Sequence, residues 1–202
     1  PIVNTSRIYP ILPLTSDNLI GYCNATDQEG DNITYHYRWY NGSELFNSGS
    51  TTTNYTQGLE INVNNLSSSS TANSNIWTFS CLAYDGYENS SIWRNSSVTV
   101  GNSAPNTPIL LEPSDANSTL FNRSPTFLWN CTDNDSNSLN FTLEINNSVS
   151  PNYMYYNLSL TPSGSNYTYT IPDELQTFIE SENNAYEWRV RAFDGINYSV
   201  WS

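Results

Sequence analysis

Lysine is absent from this chain: all six basic residues are arginines, set against 19 acids for a net charge of −13. Without lysine there is no lysine-based catalysis and no Lys–Asn isopeptide crosslink. So few cations exclude nucleic acid as a partner, because phosphate binding requires basic patches. The same balance argues against docking on an anionic membrane surface. Histidine is nearly absent too. The single His36 has no Ser, Cys or Asp partner implied by spacing, which disfavours a catalytic triad or a His-based zinc site. There is no Gly-rich phosphate loop. No apolar run approaches the length of a membrane span, so direct membrane insertion is not expected. The chain starts at Pro1 and shows no signal peptide, which reads as a mature or excised piece. Carboxylate pairs for glycoside hydrolysis need a cleft that small sandwiches usually lack, so no enzyme is expected and no cofactor is required.

Two things are abundant. Aromatics reach 14%, including six Trp and 15 Tyr, which implies packed cores rather than disorder. The triplet Asn-x-Ser/Thr without intervening Pro occurs seventeen times, at Asn4, Asn24, Asn32, Asn41, Asn54, Asn65, Asn89, Asn95, Asn117, Asn122, Asn130, Asn134, Asn140, Asn146, Asn157, Asn166 and Asn197. This triplet is the acceptor for N-linked glycan in exported proteins. With 30 Asn and 49 Ser plus Thr, composition alone gives roughly 7 such triplets. The surplus points to an extracellular or cell-surface glycoprotein. Three cysteines in such a setting suggest one disulfide and one odd thiol.

The chain also repeats itself. Residues 23–39 (CNATDQEGDNITYHYRW) align without a gap on 129–145 (WNCTDNDSNSLNFTLEI), and 77–86 (WTFSCLAYDG) align on 186–195 (YEWRVRAFDG). NSSIW (89–93) matches NYSVW (197–201) with one residue deleted. The offset is one small domain, and 103–108 has linker composition. Within each copy apolar residues alternate with period two. Leu139, Phe141, Leu143 and Ile145 form one such set; Tyr186, Trp188, Val190 and Ala192 another; Phe127, Trp129 and Cys131 a third. Many short strands with polar turns predict an all-β chain of two β-sandwiches, over 10–102 and 109–202. The strand triplets Asn24, Asn32, Asn95, Asn130, Asn140, Asn146, Asn157 and Asn166 alternate with these inner residues and fall on the solvent faces.

These segments resemble known modules. Cys23, Trp39 and Cys81 make the first copy similar to an immunoglobulin-like domain, and the resemblance implies a Cys23–Cys81 inter-sheet disulfide. Trp129, the Tyr186–Ala192 strand and Asp194-Gly195 make the second similar to a fibronectin type III domain, with Trp129 and Val190 as an apolar pair in place of the disulfide. Cys131 is then a small buried hydrophobe. The whole resembles tandem modules of prokaryotic, particularly archaeal, surface and filament proteins.

Three expectations follow. The turns Asp27, Glu29, Asp31 and Asp133, Asp135, Asn137, with Asp85 and Asp194 near them, offer hard oxygen ligands for Ca²⁺, although turn formation alone explains the same residues. The second copy stops at Trp201-Ser202 without the counterpart of RNSSVTV (94–100), so its last strand is missing from the sequence. Residues 1–9 are read as a donor strand for that gap in another copy, giving a head-to-tail homopolymer. Alternatively the chain is a window from a longer protein with neighbouring domains, an adhesin or carbohydrate-binding module using Tyr40, Tyr153 and Tyr155 as a stacking platform.

Overall fold

A computed structural model describes residues 1–114, 124–135, 138–147, 153–172 and 186–202. The chain divides into two compact units, Pro1–Ser103 and Ala104–Ser202.

The first unit is a sandwich of two antiparallel sheets. One contains β1 (Ile2–Tyr9), β2 (Leu19–Thr26) and β5 (Ile61–Leu66), in the order β1-β2-β5. The other contains β3 (Thr34–Asn41), β4 (Glu44–Ser50), β6 (Ile76–Tyr84) and β7 (Arg94–Thr99), in the order β4-β3-β6-β7. The inner faces meet over fully buried Trp39, Trp77, Phe79 and Tyr35. Trp39 packs against Phe79 at 4.8 Å and edge-on to Trp77 at 6.4 Å, the offset geometries that aromatic quadrupoles favour. Its indole N–H donates to Asn64 Oδ1 at 2.9 Å, so burial leaves no orphan donor there. Gly21 admits the Phe79 ring: a Cβ there would lie 2.5 Å from it.

The segment 1–9, expected as a spare donor strand, is instead β1 of the first unit. It pairs with β2 along nearly its full length, with a bulge at Asn4. Val3 and Ile8 supply the reason: both are buried in this core, each contributing about 1.5–3 kcal/mol that an unpaired segment would forgo. The linker is also partly structured. Ser103 is buried, and its hydroxyl accepts from Thr15 Oγ1 at 2.8 Å. Asn106 donates through its amide N–H to Thr132 O at 3.0 Å.

The second unit pairs β8 (Ile109–Glu112), β9 (Thr126–Asn130) and β12 (Asn166–Thr170) in the order β8-β9-β12. Its other sheet has the order β11-β10-β13, with β10 (Asn140–Asn147), β11 (Tyr153–Ser159) and β13 (Tyr186–Phe193). The alternating sets predicted from sequence line this core: Phe127, Trp129, Leu139, Phe141, Leu143, Ile145, Val190 and Ala192 are all buried. Trp129 meets Phe141 edge-on at 5.3 Å.

Cys23 and Cys81, 58 positions apart in sequence, form a disulfide joining β2 to β6, and hence the two sheets of the first unit. Closing a loop of that length stabilises a fold by about 4 kcal/mol in the chain-entropy account. Replacing both cysteines with alanine is therefore expected to cost the first unit about 2–4 kcal/mol. A urea melt resolving the two units checks this: the first transition should move and the second should not.

Candidate assembly edge and glycan-bearing faces

Short aspartates organise the loops at the ends of the sandwiches. Asp27 Oδ1 accepts from the backbone amides of Glu29, Gly30 and Asp31 at 3.0, 3.1 and 3.3 Å. Asp85 Oδ1 accepts from Tyr87 and Glu88 amides, both at 2.7 Å, and Asp194 Oδ1 from Ile196 and Asn197 amides at 2.7 and 2.6 Å. Asp133 Oδ1 accepts from the Asp135 amide at 2.7 Å. Gly86 and Gly195 follow in the positive-φ conformation that glycine adopts without a Cβ penalty. These are Asx turns, repeated in both units. Asp27 and Asp85 converge on the Pro1 amine, whose nitrogen lies 3.2 Å and 3.7 Å from their Oδ2 atoms. The expected calcium ligands do not gather: among the described residues no group of three or more His, Cys, Asp or Glu is placed to hold a metal ion. The carboxylates are turned toward backbone amides, and of Glu29 and Asp31 the observed bonds are made by the amides.

His36 does have a serine neighbour that its sequence spacing concealed. Ser50 lies directly opposite on β4, with His36 Nδ1 2.6 Å from Ser50 Oγ. The contact is a cross-strand polar pair on an exposed face. Cys131 is buried and donates to Asn106 O at 3.3 Å. Burial, aided by the Asp133 charge, pushes its thiol up to about 11, so it is inert as a nucleophile.

The triplets occupy outer faces. None of the fifteen described is buried: Asn24, Asn41, Asn130, Asn146 and Asn197 are half-buried and the others exposed, while Asn117 and Asn122 lie outside the described residues. Of the tyrosines read as a platform, Tyr40 is half-buried on β3, and the side chains of Tyr153 and Tyr155 lie outside the described residues.

One feature escaped sequence reading. On the outer face of the β11-β10-β13 sheet, Arg189 makes a bidentate pair with Glu144 at 2.8 and 2.9 Å. Arg189 and Arg191 lie over the Trp201 ring at 4.5 and 4.8 Å, Arg191 over Tyr198 at 4.3 Å, and Tyr198 stacks on Phe193 at 4.5 Å. This ladder covers Glu144, which is only 4% exposed although its parity points it away from the core. The segment is fastened by its serines. Ser199 and Ser202 donate through their amides to Ala192 O and Val190 O at 2.9 and 3.0 Å. Their hydroxyls accept from the Ala192 and Val190 amides at 2.8 and 2.9 Å. The first unit repeats the device with Ser90 on Ala83 and Arg38 over Trp93 at 4.1 Å. The signal was present as Arg189-x-Arg191 followed by YSVWS (198–202), but its meaning depends on which edge the segment lies along.

Beyond that segment the two units differ. In the first, β6 is an inner strand flanked by β3 and β7. In the second, β13 is the outermost strand of its sheet among the described residues.

Removing the Arg189 guanidinium by Arg189→Ala leaves Glu144 buried without that partner. Because Arg189 is itself half-exposed, a loss of about 1–2 kcal/mol in the second unit is expected, measured by denaturant titration. Acid sensitivity should appear in the first unit. Burial of Asp27 opposes its ionisation, but hydrogen bonds from the Asp31 and Glu29 amides favour the charged form, and the carboxyl is held below its ordinary range. The Glu88 and Tyr87 amides do the same for Asp85. Their contribution is complete above the unfolded carboxylate value and is lost as pH falls through the lower folded value. Asp27→Asn should flatten that acid limb in a pH-dependent melt; an unchanged limb would count against this account.

No family model matches the chain, and no curated protein matches it. Among solved structures it is similar to the chicken CNTN1 FN1–FN3 domains, at 13% identity and a TM-score of 0.41, with all of this chain and 64% of that one covered. It is also similar to a two-domain fibronectin type III segment of chicken tenascin, at 9% identity and a TM-score of 0.43, covering all of this chain and 97% of that one. The chain thus spans less than two thirds of the first of these. Strand order and register within each unit establish the class: two consecutive all-β sandwiches of immunoglobulin-like or fibronectin-like type.

Proposed function

We propose that this chain is a structural segment of an extracellular, heavily N-glycosylated filament or surface array, with its second sandwich completed by a strand added along β13. The carrying observation is the contrast between β6, flanked on both sides, and β13, outermost among the described residues. An outermost strand is a template for one more. Because Ser199 and Ser202 already bond the Ala192 and Val190 backbone, that strand would continue from the level of Ser202 along the earlier part of β13. The pattern of that strand is the one residues 94–100 follow, with Val98 and Val100 inward and Asn95 outward. Since residues 1–9 serve their own unit, they are not that strand, which comes from a neighbouring subunit, from an adjoining module or from further residues of the same polypeptide. Supporting the extracellular setting are the disulfide and the triplets on outer faces. Glycans there would leave strand edges and domain ends as the surfaces for assembly. A second reading, an adhesin or carbohydrate-binding module, draws on a groove of about 270 Å³ lined by Asn140, Thr142, Asn157 and Ser159 with Phe193 and Tyr198 at its side.

The test is a synthetic peptide of residues 94–100 (RNSSVTV) added in excess. Peptide binding with protection of β13 amides from hydrogen exchange is expected, together with shortening of fibres seen by electron microscopy. A chain that ignores the peptide and stays monomeric at every concentration would overturn the assembly reading. Selective binding on a glycan array would favour the second.

A further inference from the structure

The triplets are not scattered over the outer faces; eight of them meet in cross-strand pairs of two kinds. In the first kind, asparagine faces asparagine. Asn130 on β9 lies directly opposite Asn166 on β12, and Asn130 Nδ2 donates to Asn166 Oδ1 at 3.0 Å. At the β1 bulge the register sets Thr5 opposite Asn24, and Asn4, which is skipped in the register, meets Asn24 through its side chain. Asn4 Nδ2 donates to Asn24 Oδ1 at 2.9 Å, which brings the two amides into contact, while Asn24 Nδ2 donates to Gly58 O at 2.7 Å.

In the second kind the pairing is reciprocal. Phe141 faces Leu158, so Asn140 faces Ser159 and Asn157 faces Thr142. Each asparagine is therefore opposite the hydroxyl of the other triplet, with Ser159 Oγ donating to Asn140 Oδ1 at 2.6 Å and Thr142 Oγ1 to Asn157 Oδ1 at 3.3 Å. Ile33 and Tyr55 form an isolated antiparallel bridge through two 2.8 Å backbone bonds. The antiparallel sense sets Asn32 on the side of Thr56 and Asn54 on the side of Thr34, whose hydroxyl donates to Tyr84 O at 3.3 Å.

The two kinds leave different room for a sugar. Residues directly opposite on an antiparallel pair have Cβ atoms about 4.5–5.5 Å apart, and diagonal neighbours about 7–8 Å. The shorter gap is narrower than the body of a pyranose ring, so a sugar on one asparagine of a facing pair covers the amide nitrogen of the other. The first sugar leaves its own amide one N–H, which preserves the asparagine–asparagine bond. In a reciprocal pair each asparagine has only a small hydroxyl side chain opposite, and the two sugars diverge along the diagonal.

Resting on the glycosylation in the proposed function, we propose that each facing pair, Asn4/Asn24 and Asn130/Asn166, carries a single N-glycan per folded molecule, whereas Asn32/Asn54 and Asn140/Asn157 carry two. The exclusion holds whether sugars are added before or after folding. A chain modified at both members of a facing pair cannot close that pair and is lost from the folded population.

Glycopeptide mass spectrometry on folded protein purified from its native source tests this by summing site occupancies. The sum for Asn4 plus Asn24, and for Asn130 plus Asn166, should not exceed one, while the sums for the reciprocal pairs should rise above one. A sum above one at either facing pair overturns the proposal. So do facing pairs left bare in protein whose reciprocal pairs are modified, and reciprocal sums that stay at one or below. Protein carrying no glycan at any triplet overturns the glycosylation reading itself, an outcome distinct from the other three.

Discussion

Each strand must divide its side chains between a dry core and a wet face, and the rest of this structure depends on that division. The inner half is filled by large aromatics: Trp39, Trp77 and Phe79 in the first unit, Trp129 and Phe141 in the second. Burying rings of this size contributes much of the stability of a small sandwich. With the inner positions committed, the outer ones are left to Asn, Ser and Thr, which bond across strands instead of packing. Ser80 to Asn95 at 2.7 Å and Thr78 with Ser97 at 2.7 Å are examples on β6 and β7. The same alternation that builds the cores thus presents the triplets to solvent.

Charge is handled with similar economy. The chain has many carboxylates and few cations, so it cannot neutralise acids by pairing. It turns Asp27, Asp85 and Asp194 toward backbone amides instead, where each holds a loop in shape. The arginines in turn lie against aromatic faces. Arg38, Arg189 and Arg191 cover tryptophan rings that would otherwise meet water.

What the sequence made legible is local. Period-two alternation identified the inner residues of β9, β10 and β13, and the outward placement of Asn24, Asn130, Asn140 and Asn166 followed by parity. The Cys23–Cys81 bridge was implied by resemblance and is present. What stayed hidden depends on pairing between distant segments. Val3 and Ile8 are too sparse a pattern to show that β1 belongs to its own unit. His36 and Ser50 meet only because β3 and β4 pair in one register, and Glu144 is buried only because residues 198–202 fold back along β13. The acidic turns were ambiguous for a different reason: oxygen-rich loops serve cations and backbone amides alike, and the direction of each carboxylate is not written in the sequence.

The disulfide has a mechanical meaning. If a tandem of sandwiches is pulled by its ends, each unit that gives way lengthens by the chain it releases. In the first unit the chain between Cys23 and Cys81, which are 58 positions apart, stays behind a covalent clasp. At about 3.3–3.6 Å per extended residue this withholds roughly 200 Å of slack. The second unit has Trp129 and Val190 at those positions and no such clasp. Under load the two sandwiches would therefore behave as a short, stiff link and a long, yielding one.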